Sequence, residues 1–272
     1  MPELPEVETT KNALLPHLVG KRIEGVVIRQ PQLRWPVSAE VTHCLPNAEI
    51  LGLQRRAKYL IVTTSSGEVL IHLGMSGSLR IVHFEDPPRK HDHVDVVLAD
   101  HYVLRYHDPR RFGCMLWAGA QAASHPLLQH LGPEPLSAAF NGKYLYAMSR
   151  KRHAAVKALI MDQKVVVGVG NIYACESLFL AKIHPLLPAS ALTLAACQAL
   201  VGAIKKILRR AIKQGGTTLR DYLQPDGQPG YFAQTLAVYG RTGEACTTCG
   251  NAIGQQTVGG RSTFFCVVCQ CV

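Results

Sequence analysis

The chain has 272 residues, of which 47% are hydrophobic, and its 29 Lys and Arg against 19 Asp and Glu give a formal net charge of +10. This length and composition predict two folded domains and exclude a largely disordered chain. The positive surplus favours a polyanionic partner. Nucleic acid is favoured over a membrane because no apolar run approaches the roughly 18 residues that a spanning helix needs.

The first ten residues, MPELPEVETT, are acidic and lack the basic and apolar regions of a secretory signal. We therefore expect a cytoplasmic protein whose thiols stay reduced.

After an N-terminal helix, residues 1–130 are predicted to form an antiparallel β-sandwich domain. Runs rich in Val, Ile, Leu and Tyr are separated by Gly, Pro, Asn and Asp, and several alternate between apolar and polar side chains. This pattern is typical of strands and turns in antiparallel sheets. The predicted strand runs cover residues 22–29, 51–64, 69–82, 93–99 and 102–118.

Residues 131–141 (LGPEPLSAAFN) contain two prolines and no clear period, which predicts a linker. Residues 142–235 are then predicted to form a helical domain. The runs 153–162, 171–182 and 194–213 are rich in Ala, Leu, Lys and Arg, and their apolar residues recur at helical spacing. The expected fold class is therefore α+β, with a β-sandwich first and helices after it.

Residues 236–272 are predicted to form a zinc finger. Cys246 and Cys249 form one CxxC pair, and Cys266 and Cys269 form a second pair after sixteen intervening residues. Each pair lets one tight turn present two sulfurs to one ion, and four thiolates leave no open position for a catalytic water. The pattern predicts one structural Zn²⁺, a hairpin at residues 257–265, and no organic cofactor.

A candidate reactive group lies at the N-terminus. A small second residue generally permits removal of Met1, which leaves Pro2 as a free secondary amine. An α-amino group has a pKa of about 7.7–8, so a useful fraction is unprotonated at neutral pH and can attack an aldehyde-like carbon to form an iminium ion. Glu3 and Glu6 share one face of the first helical turn. From residue type alone, the presence of acidic side chains there is explained by their favourable interaction with the helix dipole.

Seven short motifs extend over essentially the whole chain, in addition to the cysteine pairs. They are PELPEVET at 2–9, QRRAKYL at 54–60, HLGMSG at 72–77, KHDHVD at 90–95, DPRRFG at 108–113, VGVGNIYA at 167–174 and QGGTT at 214–218. In this order they resemble the bacterial formamidopyrimidine-DNA glycosylase family, which also removes 8-oxoguanine. The resemblance implies an enzyme that flips oxidised purines out of double-stranded DNA, excises them and nicks the strand.

The resemblance assigns catalytic roles to four residues. Mature Pro2 attacks the sugar C1′ of the damaged nucleotide and forms a Schiff base, and Glu3 shuttles protons. Lys58 and Arg261 hold the flanking phosphates for the β- and δ-eliminations that cut the strand. Glu6 is implied as a supporting residue.

The resemblance also implies a set of wedge residues. Met75, Arg110 and Phe112 fill the gap left by the flipped nucleotide, and an apolar wedge between base steps kinks a duplex. Residues 215–231 match the loop that closes over the flipped base.

Three further residues are implied to bind DNA. His91 and Arg152 match DNA-contacting positions, and Asn171 begins the second helix of a helix–two-turns–helix motif whose N-terminal amides bind phosphate. By residue type alone, His91 could instead pair with His93 at a metal, although a third ligand is missing.

Two alternatives remain open from the sequence. The first is endonuclease VIII, a relative that acts on oxidised pyrimidines, although Leu4 and the Met75, Arg110 and Phe112 set argue against it. The second is a non-catalytic zinc-ribbon protein that only binds DNA. We expect a monomer, because one enzyme that engages one lesion needs no symmetric partner.

Overall fold

The computed structural model describes residues 2–217 and 235–270, and these residues form two compact units. The N-terminal unit contains residues 2–129 and 214–217, and the C-terminal unit contains residues 130–213 and 235–270. Apart from residues 215–217, the predicted loop at 215–231 lies outside the described residues. The predicted limits of the linker and of the separate zinc finger stay a prediction.

Within residues 2–129, the strands form two antiparallel sheets. The first sheet has the order β1-β6-β7-β5 and the second β2-β3-β4-β8. The strands are β1 (Ile23–Ile28), β2 (Ile50–Arg56), β3 (Tyr59–Thr64), β4 (Gly67–His72), β5 (Ser78–His83), β6 (Asp92–Leu98), β7 (Tyr102–His107) and β8 (Cys114–Gly119). The predicted N-terminal sandwich of an α+β fold is confirmed.

One hydrophobic core joins the two sheets to the first helix, α1 (Leu4–Leu18). Val7 and Leu14 of α1 belong to the same buried cluster as Ile71 of β4 and Leu104 of β7. Successive side chains of a strand point to opposite faces, so each sheet contributes one face to this core. A short helix, α2 (Ala39–Cys44), also belongs to this unit. Burial of α1 against the strands fixes the beginning of the chain on the sandwich.

Three predicted strand runs are each interrupted by a turn. The runs 51–64, 69–82 and 102–118 each divide into two strands. The breaks lie near Ala57, Gly74 and Arg111, which all have left-handed backbone conformations with φ of 56°, 66° and 56°. At Ala57 the chain turns back within one sheet, and at the other two positions it passes from one sheet to the other. Ala and Arg rarely adopt left-handed conformations, so residue preference does not predict a turn at Ala57 or Arg111, and each run was predicted as one continuous strand.

The C-terminal unit is helical and ends in a hairpin. Its helices are α3 (Gly142–Ser149), α4 (Val156–Met161), α5 (Asn171–Leu180) and α6 (Leu194–Lys213), and its strands are β9 (Gly254–Val258) and β10 (Arg261–Phe265). Helix α5 begins at Asn171 as predicted. Helix α4 begins later than residue 153 because Ala155 forms an antiparallel bridge with Pro188, and α5 ends before Lys182, whose φ is 56°.

Helix α3 was not predicted, although its start carries a recognisable signal. The side chain of Asn141 accepts a hydrogen bond from the backbone N–H of Tyr144 at 3.0 Å. An Asn at this position satisfies one of the N–H groups that a helix start leaves without an intrahelical partner. The predicted linker therefore ends at Asn141, whose capping role could have predicted helix α3.

Helix α6 is amphipathic. Leu200, Ile204 and Ile207 are buried, whereas Lys206 and Arg209 are exposed. Within residues 2–217 and 235–270, no helix combines the length and hydropathy needed to cross a membrane.

Candidate active site

The N-terminus of α1 carries two buried carboxylates. Pro2 is buried, and Glu3 is the N-cap of α1 and only 2% exposed. The backbone N–H of Glu3 donates to Oε2 of Glu6 at 2.8 Å. Carboxylates are stabilised at this end of a helix by the backbone N–H groups and the helix dipole. The sequence therefore places Pro2 directly before a capped and rigid helical turn.

The second oxygen of Glu6 binds a distant part of the N-terminal unit. Its Oε1 accepts a hydrogen bond from the backbone N–H of Thr217 at 2.8 Å. Thr217 is the last described residue before the 218–234 segment. A Cβ atom at Gly216 would lie 2.9 Å from the same oxygen, and Gly216 has φ of 80°. Glu6 thus joins the turn that carries Glu3 to the beginning of the predicted lesion-covering loop.

Lys58 lies in the two-residue turn between β2 and β3. Arg56 pairs with Tyr59, so the turn consists of Ala57 and Lys58. Lys58 is only 8% exposed and Ala57 only 1% exposed. Helix α1 packs against both β2 and β3, so the helix that begins after Pro2 and the turn that carries Lys58 belong to one packed layer.

His72 is a further polar group near Lys58 and is not among the residues assigned from the sequence. Its Nδ1 accepts a hydrogen bond from the backbone N–H of Gly74 at 2.9 Å, and its ring packs on Tyr59 with the centroids 4.8 Å apart. Burial first, and then the positive charges of Lys58 and Arg34, lower the pKa of His72 to about 4. The imidazole is therefore neutral at pH 7 and carries its proton on Nε2, where it can donate to an anion.

The predicted wedge residues lie on two neighbouring turns. Phe112 is 45% exposed, Arg110 is exposed, and Met75 is half-buried. The guanidinium carbon of Arg110 lies 5.0 Å from the centre of the Phe112 ring. Core packing, the simpler explanation for the apolar pair, does not fit this exposure. Met75 and Phe112 line one cleft of about 600 Å³, whose walls also include Leu33, Arg34, His72, Gly74 and Arg111.

Asp108 connects these two turns and was not singled out from the sequence. It is fully buried, and its Oδ2 accepts a hydrogen bond from the backbone N–H of Gly113 at 2.8 Å. The hydroxyl of Ser76 donates to its Oδ1 at 3.2 Å. One carboxylate therefore sets the spacing of the turns that carry Met75 and Phe112. An Asp directly before the proline of a turn was the signal available for it in the sequence.

His91 lies in a separate turn of the N-terminal unit, with a left-handed φ of 74°. Its carbonyl accepts from the backbone N–H of Asp108 at 3.0 Å. His93 is buried and its Nε2 lies 2.8 Å from the carbonyl oxygen of Asp108, so it is a structural residue. In the described part of the chain, no group of potential metal ligands includes these histidines.

In the C-terminal unit, Asn171 is tied to the hairpin that carries Arg261. Its Nδ2 donates to the carbonyl oxygen of Ser262 at 2.9 Å. Buried Lys157 donates from Nζ to Oγ1 of Thr263 at 2.6 Å, so α4 and α5 both hold strand β10. Arg261 is exposed at the start of β10, directly after the glycine turn of the hairpin.

Arg152 is paired within the protein. Its Nη1 lies 2.7 Å from Oδ2 of Asp162, and about a third of its side chain is exposed. The other oxygen of Asp162 accepts from the backbone N–H of Lys164 at 2.9 Å. The guanidinium group of Arg152 is therefore partly exposed and forms an ion pair with Asp162.

The four predicted cysteine ligands come together. Their sulfur atoms all lie within 4.8 Å of one another, with 3.9 Å between Cys246 and Cys269 and 3.4 Å between Cys249 and Cys266. A tetrahedral zinc with Zn–S bonds of about 2.3 Å requires sulfur separations of about 3.8 Å. The geometry fits a four-thiolate zinc site. The ribbon packs on α5 through Cys175, Ile253 and Phe264.

Together, the proline directly before a capped helix near the start of the chain, the cation-bearing turns and the four-cysteine ribbon are features of DNA glycosylases that use an N-terminal nucleophile. Residues 1–115 match the formamidopyrimidine-DNA glycosylase N-terminal domain model, and residues 131–222 match the formamidopyrimidine-DNA glycosylase H2TH domain model.

Full-length relatives agree with this match. Formamidopyrimidine-DNA glycosylase of Xanthomonas campestris is 56% identical over 271 residues, which cover 99% of this chain and 100% of the relative. Lactococcus lactis Fpg bound to DNA with an abasic site is 36% identical, with a TM-score of 0.92 and coverage of 99% and 100%. Its complex with Fapy-dG DNA gives 35% identity, a TM-score of 0.91 and the same coverage. This chain belongs to the formamidopyrimidine-DNA glycosylase family.

The contact between Gly216 and Glu6 predicts a large effect of one added methyl group. Gly216→Ala should lower the free energy of unfolding, because Ala at φ of 80° costs about 1–3 kcal/mol and its Cβ would displace the Glu6 carboxylate. The matched variant Gly240→Ala has φ of 77° and open space around it, so only the backbone cost applies. Urea unfolding should show Gly216→Ala to be the less stable by at least about 1 kcal/mol, and equal losses would contradict the Glu6 contact.

The environment of His72 predicts a specific pH dependence. Its pKa of about 4 lies below the usual 6.5, so protonation favours the unfolded chain, and its contribution to stability is lost as pH falls from about 6.5 towards about 4. His72→Gln should remove this part of the pH dependence, whereas His17→Gln, at an exposed position, should not. NMR titration of the His72 ring gives the pKa directly, and a value near 6.5 would refute the assignment.

Proposed function

We propose that this chain removes oxidised purines from double-stranded DNA and cuts the strand at the resulting abasic site, with Pro2 as the covalent nucleophile. The observation that carries the proposal is the position of Pro2 directly before Glu3, a buried N-cap carboxylate on a helix packed onto the sandwich. The Fapy-dG and abasic-site DNA bound to the Lactococcus lactis relative support this substrate class. Because genomic DNA lies in the bacterial cytoplasm, we expect the protein to act there.

Attack by the Pro2 nitrogen forms the first new bond. The N–C1′ bond forms as the bond from C1′ to the damaged base breaks, and the departing base takes up a proton. The Pro2 nitrogen then loses its proton and O4′ takes one up as the C1′–O4′ bond breaks, which opens the sugar ring and leaves an iminium ion that withdraws electrons from C2′. Loss of a C2′ proton expels the 3′ phosphate, and loss of a C4′ proton expels the 5′ phosphate.

Proton movement in these steps is assigned to Glu3. Its burial supports this assignment, because a carboxyl group shielded from bulk water exchanges its proton with a nearby sugar rather than with solvent. Glu6 supports the site electrostatically, since its two oxygens are bound to backbone N–H groups of Glu3 and Thr217. Glu6 therefore holds the geometry in which Glu3 acts.

Lys58, Arg261 and His72 are assigned to phosphate groups that flank the lesion. A phosphate leaves more readily when its negative charge is compensated, and Lys and Arg do this well. His72 adds a neutral N–H donor that does not repel the neighbouring Lys58. Further phosphate contacts are assigned to His91, Arg152 and the N-terminal amides of α5 at Asn171.

Base extrusion is assigned to the two turns joined by Asp108. Exposed Phe112 and half-buried Met75 present apolar surface that can fill the space left by a flipped nucleotide, while Arg110 offers donors to the unpaired base opposite. A fixed spacing of the two turns favours this role, because side chains on flexible turns would not keep adjacent bases separated.

One structural Zn²⁺ is assigned to Cys246, Cys249, Cys266 and Cys269, and it supplies a rigid ribbon rather than chemistry. The ribbon strand β10 carries Arg261, so loss of the metal would release the Arg261 hairpin from its fixed orientation.

Covalent trapping tests the nucleophile. The protein with Met1 removed should form an adduct with 8-oxoguanine:cytosine duplex in the presence of borohydride, and peptide mapping should locate the link at Pro2. Pro2→Gly retains an N-terminal amine but not the ring, and we expect it to trap at least about tenfold more slowly. Met1-retaining protein serves as a blocked control. Absence of adduct from verified mature protein would refute covalent catalysis on this lesion, and adduct only with thymine-glycol DNA would indicate an oxidised-pyrimidine enzyme.

Metal removal tests the role of the ribbon. Cys249→Ser should lower bound zinc, measured by mass spectrometry, and weaken binding to abasic-site duplex by at least about tenfold in fluorescence anisotropy, because the Arg261 contact is lost. Cys44→Ser changes a thiol of α2 that lies outside the cluster and should leave both values unchanged. Full DNA affinity in a zinc-free protein would show that the ribbon is dispensable.

A further inference from the structure

Glu8 lies on α1, six residues after Pro2, and binds two cations. Its Oε2 accepts from Nε of Arg55 at 2.6 Å, and its Oε1 accepts from Nζ of Lys11 at 2.5 Å. Burial alone would raise the pKa of Glu8, but the hydrogen bonds from Lys11 and Arg55 outweigh it and lower the pKa below its usual value. Glu8 is therefore an ionised anchor on the helix that carries the nucleophile.

Arg55 continues this connection into the turn of Lys58. While Nε binds Glu8, Nη1 of Arg55 donates to the backbone carbonyl oxygen of Ala57 at 2.9 Å. A guanidinium group holds its donors in one plane, so two acceptors bound to it are fixed relative to each other. The anchored carboxylate on α1 and the carbonyl that precedes Lys58 are thus joined by one rigid group.

The turn itself benefits from such a support. Ala57 has φ of 56°, a conformation that a residue with a Cβ atom rarely adopts, and it directly precedes Lys58. In a two-residue turn, the backbone angles of one residue set the direction of the next side chain. A hydrogen bond to the Ala57 carbonyl therefore bears on where the Lys58 ammonium points.

The Glu8–Arg55 pair is also shielded. The side chains are only 18% and 10% exposed, so the pair is less screened than a surface ion pair. Both atoms that Arg55 uses here bind acceptors within the protein. The pair is consequently suited to hold the Lys58 turn in place relative to α1 rather than to bind a DNA phosphate.

We infer that Glu8 and Arg55 are positioning residues that hold the Lys58 turn in register with the helix of Pro2. This inference rests on the proposed roles of Pro2 and Lys58. Neither Glu8 nor Arg55 takes part in a bond change. Their loss should let the Lys58 ammonium move away from the phosphate that leaves, which slows strand cleavage without preventing attack by Pro2.

The test is a double-mutant cycle on elimination at saturating abasic-site duplex under single-turnover conditions. Lys58→Met should slow strand cleavage strongly, and Arg55→Met should slow it by about tenfold in the wild-type background. In the Lys58→Met background, Arg55→Met should change the rate by less than about twofold, because the residue that it positions is gone. In the Arg55→Met single variant, duplex affinity and borohydride trapping at Pro2 should stay within about twofold of wild type.

Two further variants separate positioning from folding. Arg55→Lys keeps a cation beside Glu8 but loses the planar pair of donors, so it should retain the melting temperature and still slow cleavage. Lys11→Met removes the other cation from Glu8 without a bond to the turn, and it should cleave at the wild-type rate. Glu8→Gln should resemble Arg55→Lys.

The outcomes are distinct. Additive rate losses for Arg55→Met and Lys58→Met, or a loss in Lys11→Met as large as that in Arg55→Lys, would overturn the positioning role. Loss of trapping in Arg55→Lys at an unchanged melting temperature would overturn it as well, since the effect would then lie on Pro2. If Lys58→Met cleaves at the wild-type rate, the proposed function of Lys58 itself fails, and the inference fails with it.

Discussion

The nucleophilic role proposed for Pro2 requires that the beginning of the chain is held still. Helix α1 provides this constraint, because Val7 and Leu14 are buried in the same core as the strands of both sheets. The first turn is then closed by the carboxylate of Glu6, which binds the backbone N–H groups of Glu3 and Thr217. Hydrophobic burial sets where the helix lies, and the charge-assisted hydrogen bonds set how its first turn is shaped.

The charges of the N-terminal unit follow a consistent division. Carboxylates such as Glu6 and Asp108 are buried and bind backbone N–H groups, so they shape turns rather than attract cations from solvent. Near Lys58, the imidazole of His72 is kept neutral by burial and by neighbouring positive charge. Because these carboxylates are bound to backbone N–H groups and His72 is neutral, the protein can present Lys58 to a phosphate backbone without added repulsion between Lys58 and a second cation at His72. The excess of basic residues seen in the composition is consistent with this arrangement.

Much of the fold was predictable because local patterns and tertiary packing agree. The CxxC pairs predicted the four-thiolate cluster, and the start of α5 at Asn171 followed from the family motif. The errors fall where backbone conformation departs from residue preference. Ala57 and Arg111 take left-handed conformations, so runs that looked continuous contain turns. His72 and Asp108 were not assigned roles, because their importance depends on burial and on partners elsewhere in the chain, such as Lys58 for His72 and Ser76 for Asp108.

By itself, the sequence determined the class of fold, the four-cysteine cluster and the family, because these depend on residue type, spacing and order along the chain. Only the tertiary structure decided how the functional groups are held. Segments far apart in sequence form the bridge from Glu6 to Thr217 and the bond from Glu8 to Arg55, which continues to the Lys58 turn. Burial in the folded chain keeps His72 neutral. Hydrogen-bond geometry and desolvation depend on distances in space, and a linear pattern does not contain those distances.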